Sequence, residues 1–147
     1  MKKTFLLFIL VLIVSELSHV KVSHKYNIEQ PTQETAIVTS TMYFAVQGQC
    51  DADPLITAGM YRINPKRATE QKFIALSRDL LKRWKGKFDY GDKVKIEGAG
   101  KKDGIYIVAD CMNARFHNKI DILETRGVKM YKFTNVKITK CCNISLS

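Results

Sequence analysis

From Ile37 onward the chain supplies its apolar residues in short runs, each cut off by glycine, proline or charge, and this limits it to a fold built from many short strands. The runs are IVTSTMYFAV (37–46), FIAL (73–76), KVKIEG (93–98), IYIVAD (105–110), KIDIL (119–123) and TNVKITKC (134–141). Val94 and Ile96 alternate with charged neighbours, the pattern of a half-buried strand. Between two of the runs, AGKKDG ends in Asp103-Gly104, a usual hairpin turn pair. A single stretch, SRDLLKRW, has helical spacing, with Ser77 placed to cap it, Leu80, Leu81 and Trp84 on one face, and Gly86 to end it. Trp84 is accordingly assigned to the core. The expectation is an all-β fold, a small closed six-stranded barrel with one short helix, rather than a sheet of βαβ units.

The 147 residues leave room for one compact domain, expected over 37–142 with a tail at 143–147. Residues 21–36 are polar, contain Pro31 and show no sustained period, so they read as a flexible linker. Residues 1–20 open with Lys2 and Lys3, continue as an apolar run from Phe5 to Val14 and end in small and polar residues. This is the layout of a secretory signal peptide, or of an uncleaved anchor. Export to the periplasm, the cell envelope or the medium follows as an expectation.

Without residues 1–20 the chain keeps 22 basic and 13 acidic residues. That excess favours anionic partners and says nothing about fold. For an exported protein, anionic wall glycan, phosphate-rich envelope polymers or a membrane surface suit it better than nucleic acid, for which no recognition motif is present. Cys50, Cys111, Cys141 and Cys142 have no zinc-ligand spacing, and no metal or other cofactor is expected. Four cysteines allow three pairings. Cys50 with Cys111 is preferred because both flank the segments expected to meet at the site, while free thiols or pairing through the C-terminal cysteines stays open.

Two aspartates stand where strands should fill a core. Asp110 ends IYIVAD, and Asp121 interrupts KIDIL eleven residues later. Alternation puts Ile120 and Ile122 on one face and Lys119, Asp121 and Leu123 on the other. If that second face lines a groove, the Asp121 carboxyl is partly desolvated and its pKa rises. Such a carboxyl can hold a proton near neutrality and donate it to a glycosidic oxygen. The plainer alternative is a turn or capping role, and Asp79 suits the first turn of the expected helix.

The run GQCDADPLITA…FIALSRDLL…FDYGDKVKIEG…GIYIVADCMNARFHNKIDIL resembles the three-aspartate (3D) domain family, related to membrane-bound lytic transglycosylase A and to RlpA-like proteins. The resemblance covers roughly residues 39–139. It rests on IAL-x-x-D, G-D-x-V-x-I-x-G, G-x-Y-x-V-x-D and N-x-I-D-I in that order. It implies a double-psi β-barrel, with the three aspartates at Asp79, Asp110 and Asp121. It also implies cleavage of peptidoglycan between N-acetylmuramic acid and N-acetylglucosamine, leaving a 1,6-anhydro end.

In that reaction one carboxyl serves as acid and then as base, a role assigned to Asp121. Asp110 is expected to raise the Asp121 pKa by like-charge repulsion and to stabilise cationic charge on the sugar, and Asp79 to orient the site. Tyr43, Thr57, Asn113, Arg115, Asn118 and Lys119 are the candidate substrate contacts. Arg115 and Lys119 would face carboxylates, and Tyr43 and Phe116 would face sugar rings. His117 reads as a solvated polar residue, and Asp51 and Asp53 as turn residues beside Pro54. The chain departs from the family at Cys111, where a small hydroxyl residue is usual, and at Thr57-Ala58-Gly59-Met60, where T-A-[SD]-G is common. The alternative is a noncatalytic glycan-binding envelope module. Either way the expected partner is the peptidoglycan strand, and the protein is expected to be a monomer without a stable protein partner.

Overall fold

The computed structural model describes residues 33–46 and 53–141. The expected signal peptide, residues 21–32 of the expected linker, Cys50, Asp51, Cys142 and the C-terminal tail lie outside these residues. Six strands form: β1 (Thr35–Tyr43), β2 (Phe73–Leu76), β3 (Lys93–Glu97), β4 (Gly104–Cys111), β5 (Lys119–Leu123) and β6 (Phe133–Lys140). β1 starts two residues before Ile37, because Thr35 and Ala36 pair with Thr139 and Ile138.

The strands hydrogen-bond in a closed ring, β1-β5-β2-β4-β3-β6 and back to β1. β1–β5 and β2–β4 are parallel, while the other four pairings are antiparallel. The ring order is unchanged when β1, β2 and β3 are exchanged with β4, β5 and β6. β2 and β5 therefore meet at the centre of one side of the ring, each flanked by a parallel neighbour.

Alternating residues fill the interior. Ile74, Leu76, Val94, Ile96, Tyr106, Val108, Ile120, Ile122, Val136 and Ile138 are all at most 1% exposed. A second apolar layer lies on other faces of the same strands, where Tyr43, Phe73, Ala75, Ala109 and Leu123 pack with Ile63 and Ala68 from the β1–β2 connection. FIAL is buried on both faces and so reads as an unbroken apolar run, as strands covered on two sides do. At the end of β5, Glu124 is 1% exposed. Its carboxylate accepts from Thr69 Oγ1 and Tyr131 OH, both at 2.7 Å, and pairs with Lys102 Nζ at 2.5 Å. One buried charge thus fastens three connecting segments to the barrel.

The expected helix does not form. Arg78–Leu80 and Lys82–Trp84 are separate 3-10 turns, and Leu81 between them is extended. Leu80 and Leu81 are both buried, and Leu81 is extended because it bridges to Phe88. Gly86 closes the loop against its own start: a Cβ there would lie 2.1 Å from the Leu80 carbonyl carbon. Ser77 is not a helix cap. Its backbone N–H donates to the Lys119 carbonyl at 2.9 Å, and its hydroxyl accepts from the Lys119 N–H at 3.0 Å. Trp84, expected in the core, is 37% exposed.

Candidate active site

Register sets four side-chain positions in a row across neighbouring strands. Thr41 of β1 pairs with Asp121 of β5, Asp121 with Ala75 of β2, and Ala75 with Asp110 of β4. The two carboxylates therefore flank Ala75, their Cα atoms about 10 Å apart at two strand spacings. The small Ala75 side chain leaves the space between them open. A groove of about 540 Å³ opens here, lined by Ala75, Asp110 and Asp121 together with Tyr43, Arg78, Arg115 and Phe116, among others.

Asp110 reaches this groove because β4 is irregular. Simple alternation from Tyr106 and Val108, both interior, would turn Asp110 inward. The pairing with β2 instead shifts between Ile74 and Ala75, moving the partner from Val108 to Asp110 with one residue, Ala109, left over. Such a bulge re-aims a side chain. Asp110 faces the groove, and Cys111 packs against the interior cluster. The carboxylate is then fixed from above: Asp110 Oδ1 accepts from the Ala58 N–H at 3.0 Å and from the Cys111 N–H at 2.9 Å.

The segment Thr57-Ala58-Gly59-Met60 provides the first of these donors. The Gly59 N–H donates to the Ala109 carbonyl at 2.9 Å, and a Cβ at Gly59 would meet that oxygen at 2.7 Å. Thr57 does not line the groove. It is 3% exposed, and its hydroxyl accepts from the Tyr61 N–H at 3.0 Å, which folds the turn.

Asp121 is held differently. Ile120 and Ile122 anchor β5 from inside the barrel, so the residue between them projects into the groove. Burial pushes its pKa above the ordinary aspartate value, opposed by a hydrogen bond from the Thr41 hydroxyl to Oδ1 and by the charge of Lys119. The expected repulsion from Asp110 is not the cause. At two strand spacings, with Asp110 satisfied by backbone donors, desolvation accounts for the rise. Thr41→Val is accordingly expected to raise the Asp121 pKa further, because it removes a donor that favours the charged form. Any reaction needing protonated Asp121 should then persist to higher pH. A pH–rate profile with its basic limb displaced upward is the check; a downward displacement would contradict the assignment.

Asp79 stands outside the groove lining. Its Oδ2 accepts from the Asn118 N–H at 2.9 Å, and its Oδ1 faces His117 Nδ1 at 3.8 Å. Asn118 has φ 49° and passes its carbonyl to the Thr39 N–H at 3.0 Å. Asp79 thus fixes the left-handed residue that leads into β5, one connection away from Asp121. Asn118 contributes backbone rather than a groove-facing amide. Asn113 and Arg115 line the groove, as does Tyr43, which is only 8% exposed. Lys119 is absent from the lining and sits over the Phe116 ring at 5.0 Å, with the Arg115 guanidinium at 4.8 Å. Asp53 is a turn residue whose Oδ1 accepts from the Leu55 N–H at 3.0 Å. Among the described residues Cys111 and Cys141 are free thiols, and the expected partner Cys50 lies outside those residues.

Sequence reasoning missed Thr41, Ala75 and Arg78. Thr41 carries no local signal, since its role comes from pairing with a strand 80 residues away. Arg78, next to Ser77 at the end of β2, could have been suspected from its nearness to FIAL. No protein-family model matches the chain, and no curated protein matches it either.

Proposed function

We propose that this chain is an exported lytic transglycosylase that cleaves the peptidoglycan strand between N-acetylmuramic acid and N-acetylglucosamine. The observation that carries the reading is Asp121: a carboxyl desolvated by the fold, aimed into an open groove, with a second, backbone-anchored carboxylate two strands away. A carboxyl that keeps its proton to higher pH than an ordinary aspartate is suited to protonating a departing glycosidic oxygen. Asp121 gives its proton to that oxygen as the C1–O bond breaks, and Asp110 stabilises the positive charge that develops on the sugar. The C6 hydroxyl of the same sugar then bonds to C1, and its proton passes to Asp121. The acid is regenerated and no water is consumed.

The polypeptide path supports a double-psi barrel. Two parallel pairings, β1–β5 and β2–β4, flank the antiparallel β2–β5 contact, and the members of each parallel pair are separated in the chain by other strands of the ring. The basic signal-like N-terminus supports export. Arg115 and Arg78 in the lining suit the lactyl and peptide carboxylates of the strand.

The test is mass spectrometry of purified peptidoglycan after incubation with the full chain. Disaccharide-peptide products lighter by one water than the hydrolysed sugar are expected. Hydrolysed products would indicate instead that the two carboxyls activate water, as in an inverting hydrolase. Retention of the protein on insoluble wall without any soluble product would leave a noncatalytic binding module.

A further inference from the structure

Trp84 is the chain's single tryptophan, and the fold leaves it at the surface. Two guanidiniums lie against its ring, that of Arg78 at 5.2 Å and that of Arg83 at 5.4 Å from the centroid. The loop that carries them is fixed by short backbone hydrogen bonds, Lys82 N–H to the Phe88 carbonyl at 2.7 Å and Trp84 N–H to the Leu81 carbonyl at 2.8 Å. Neither arginine is in an ion pair among the described residues. Residues 78–87 hold five cationic side chains and a single acid, Asp79, whose Oδ2 is engaged by the Asn118 N–H. Guanidiniums resting on an aromatic face have already lost part of their rotamer freedom, so a bidentate anion meets donors that need little further ordering. Arg78 belongs to this cluster and also lines the groove, which makes the two surfaces continuous.

We infer that Arg78, Trp84 and Arg83 form a second subsite, which receives a carboxylate of the glycan strand where the strand leaves the groove. The inference rests on the reading that the groove holds such a strand. A carboxylate bridged by the two arginines lies beside the indole, so its arrival changes the emission of the only tryptophan in the protein. Occupation here anchors the strand without touching the reacting bond. Losing Arg83, which does not line the groove, should therefore raise KM and leave kcat in place.

The experiment uses the full chain carrying Asp121→Asn, so that strands bind without being cut, titrated with soluble uncrosslinked peptidoglycan strands. Heat and Trp84 emission are followed together. A saturable emission change with the same midpoint as the heat is expected. Arg83→Gln in that background should weaken binding by about tenfold, the loss of one charge-assisted contact, and added salt should weaken it too. Chitohexaose, with a similar sugar backbone and no carboxylates, should give heat without the emission change. Heat from the strands with silent emission would remove this subsite and leave the groove reading standing. An equal emission change with chitohexaose would mean sugar stacking and overturn anion recognition. A larger saturable response to a glycerol-phosphate polymer would assign the cluster to phosphate instead. Absence of any heat from the strands would overturn both the groove reading and the subsite.

Discussion

Asp121→Asn is expected to lower release of anhydromuropeptides by about 10²–10⁴-fold, the range general acid–base catalysis contributes. The change removes the transferable proton and leaves the shape. Asparagine is nearly isosteric, its side-chain oxygen can still accept from the Thr41 hydroxyl, and β5 remains anchored through Ile120 and Ile122.

The same substitution should also stabilise the fold at neutral pH. A carboxyl whose folded pKa is raised contributes stability that is complete below the ordinary aspartate value of 3.8 and is lost as pH rises through the raised value. At any pH above the unfolded value, folding must either take up a proton at Asp121 or bury its charge, and the amide does neither. Loss of activity together with a higher denaturation midpoint is therefore the expected pair of results. Activity lost together with stability would point to a structural role for Asp121 instead.

Glu124→Ala is expected to cost about 3–5 kcal/mol, the usual consequence of removing one member of a buried ion pair. Burial alone would push the Glu124 pKa up. Hydrogen bonds from Lys102, Tyr131 and Thr69 outweigh it and hold the group below its ordinary value of 4.5. The contribution is thus present above the unfolded-state value and is lost as pH falls through the folded one. Wild-type stability should decline on acidification below about pH 4.5, where the unfolded chain takes up a proton that the folded Glu124 does not yet bind. That portion of the decline should be missing in the alanine variant, which starts lower. Denaturant melts at several pH values give both quantities, with a shifted midpoint at unchanged slope marking a change in stability alone. A wild-type-like midpoint for Glu124→Ala would mean that the three connecting segments hold the barrel without it.

Much of the barrel could be read directly. Val94 and Ile96, or Ile120 and Ile122, alternate as interior strand residues must. AGKKDG does join β3 to β4, but through a 3-10 turn at Gly100–Lys102. Asp103 accepts from the Ala99 N–H, and Gly104 already belongs to β4, paired with Ile96, rather than to a turn pair. What failed did so for definable reasons. SRDLLKRW has helical spacing, but its backbone bonds instead across the loop. The Gly86, Lys87 and Phe88 N–H groups donate to the Leu81 and Leu80 carbonyls and the Lys82 N–H to the Phe88 carbonyl, contacts that nothing within the stretch announces. The backbone straightens at Leu81 and frees Trp84 to the surface.

Asp110 was correctly singled out as an odd residue at the end of an apolar run, but not how it leaves the interior. Strict alternation has no place for the leftover Ala109 that turns it outward. Thr41 was invisible because a serine- and threonine-rich strand looks alike at every polar position until its parallel neighbour fixes the register. Glu124 was overlooked for a similar reason. Its three side-chain partners come from separate connections, and nothing near it in the chain announces them.

The position of β1 in the ring also sets an order of assembly. The first strand lies between the last two, so it has no strand partner until residues 119–140 have been made. Local hairpins such as β3–β4 can form early, but ring closure must gather segments from opposite ends of the chain, which slows folding. During that interval Thr35–Tyr43 waits with both edges unpaired. A chain arranged this way is open to aggregation at that strand if it is released before its C-terminal strand is complete.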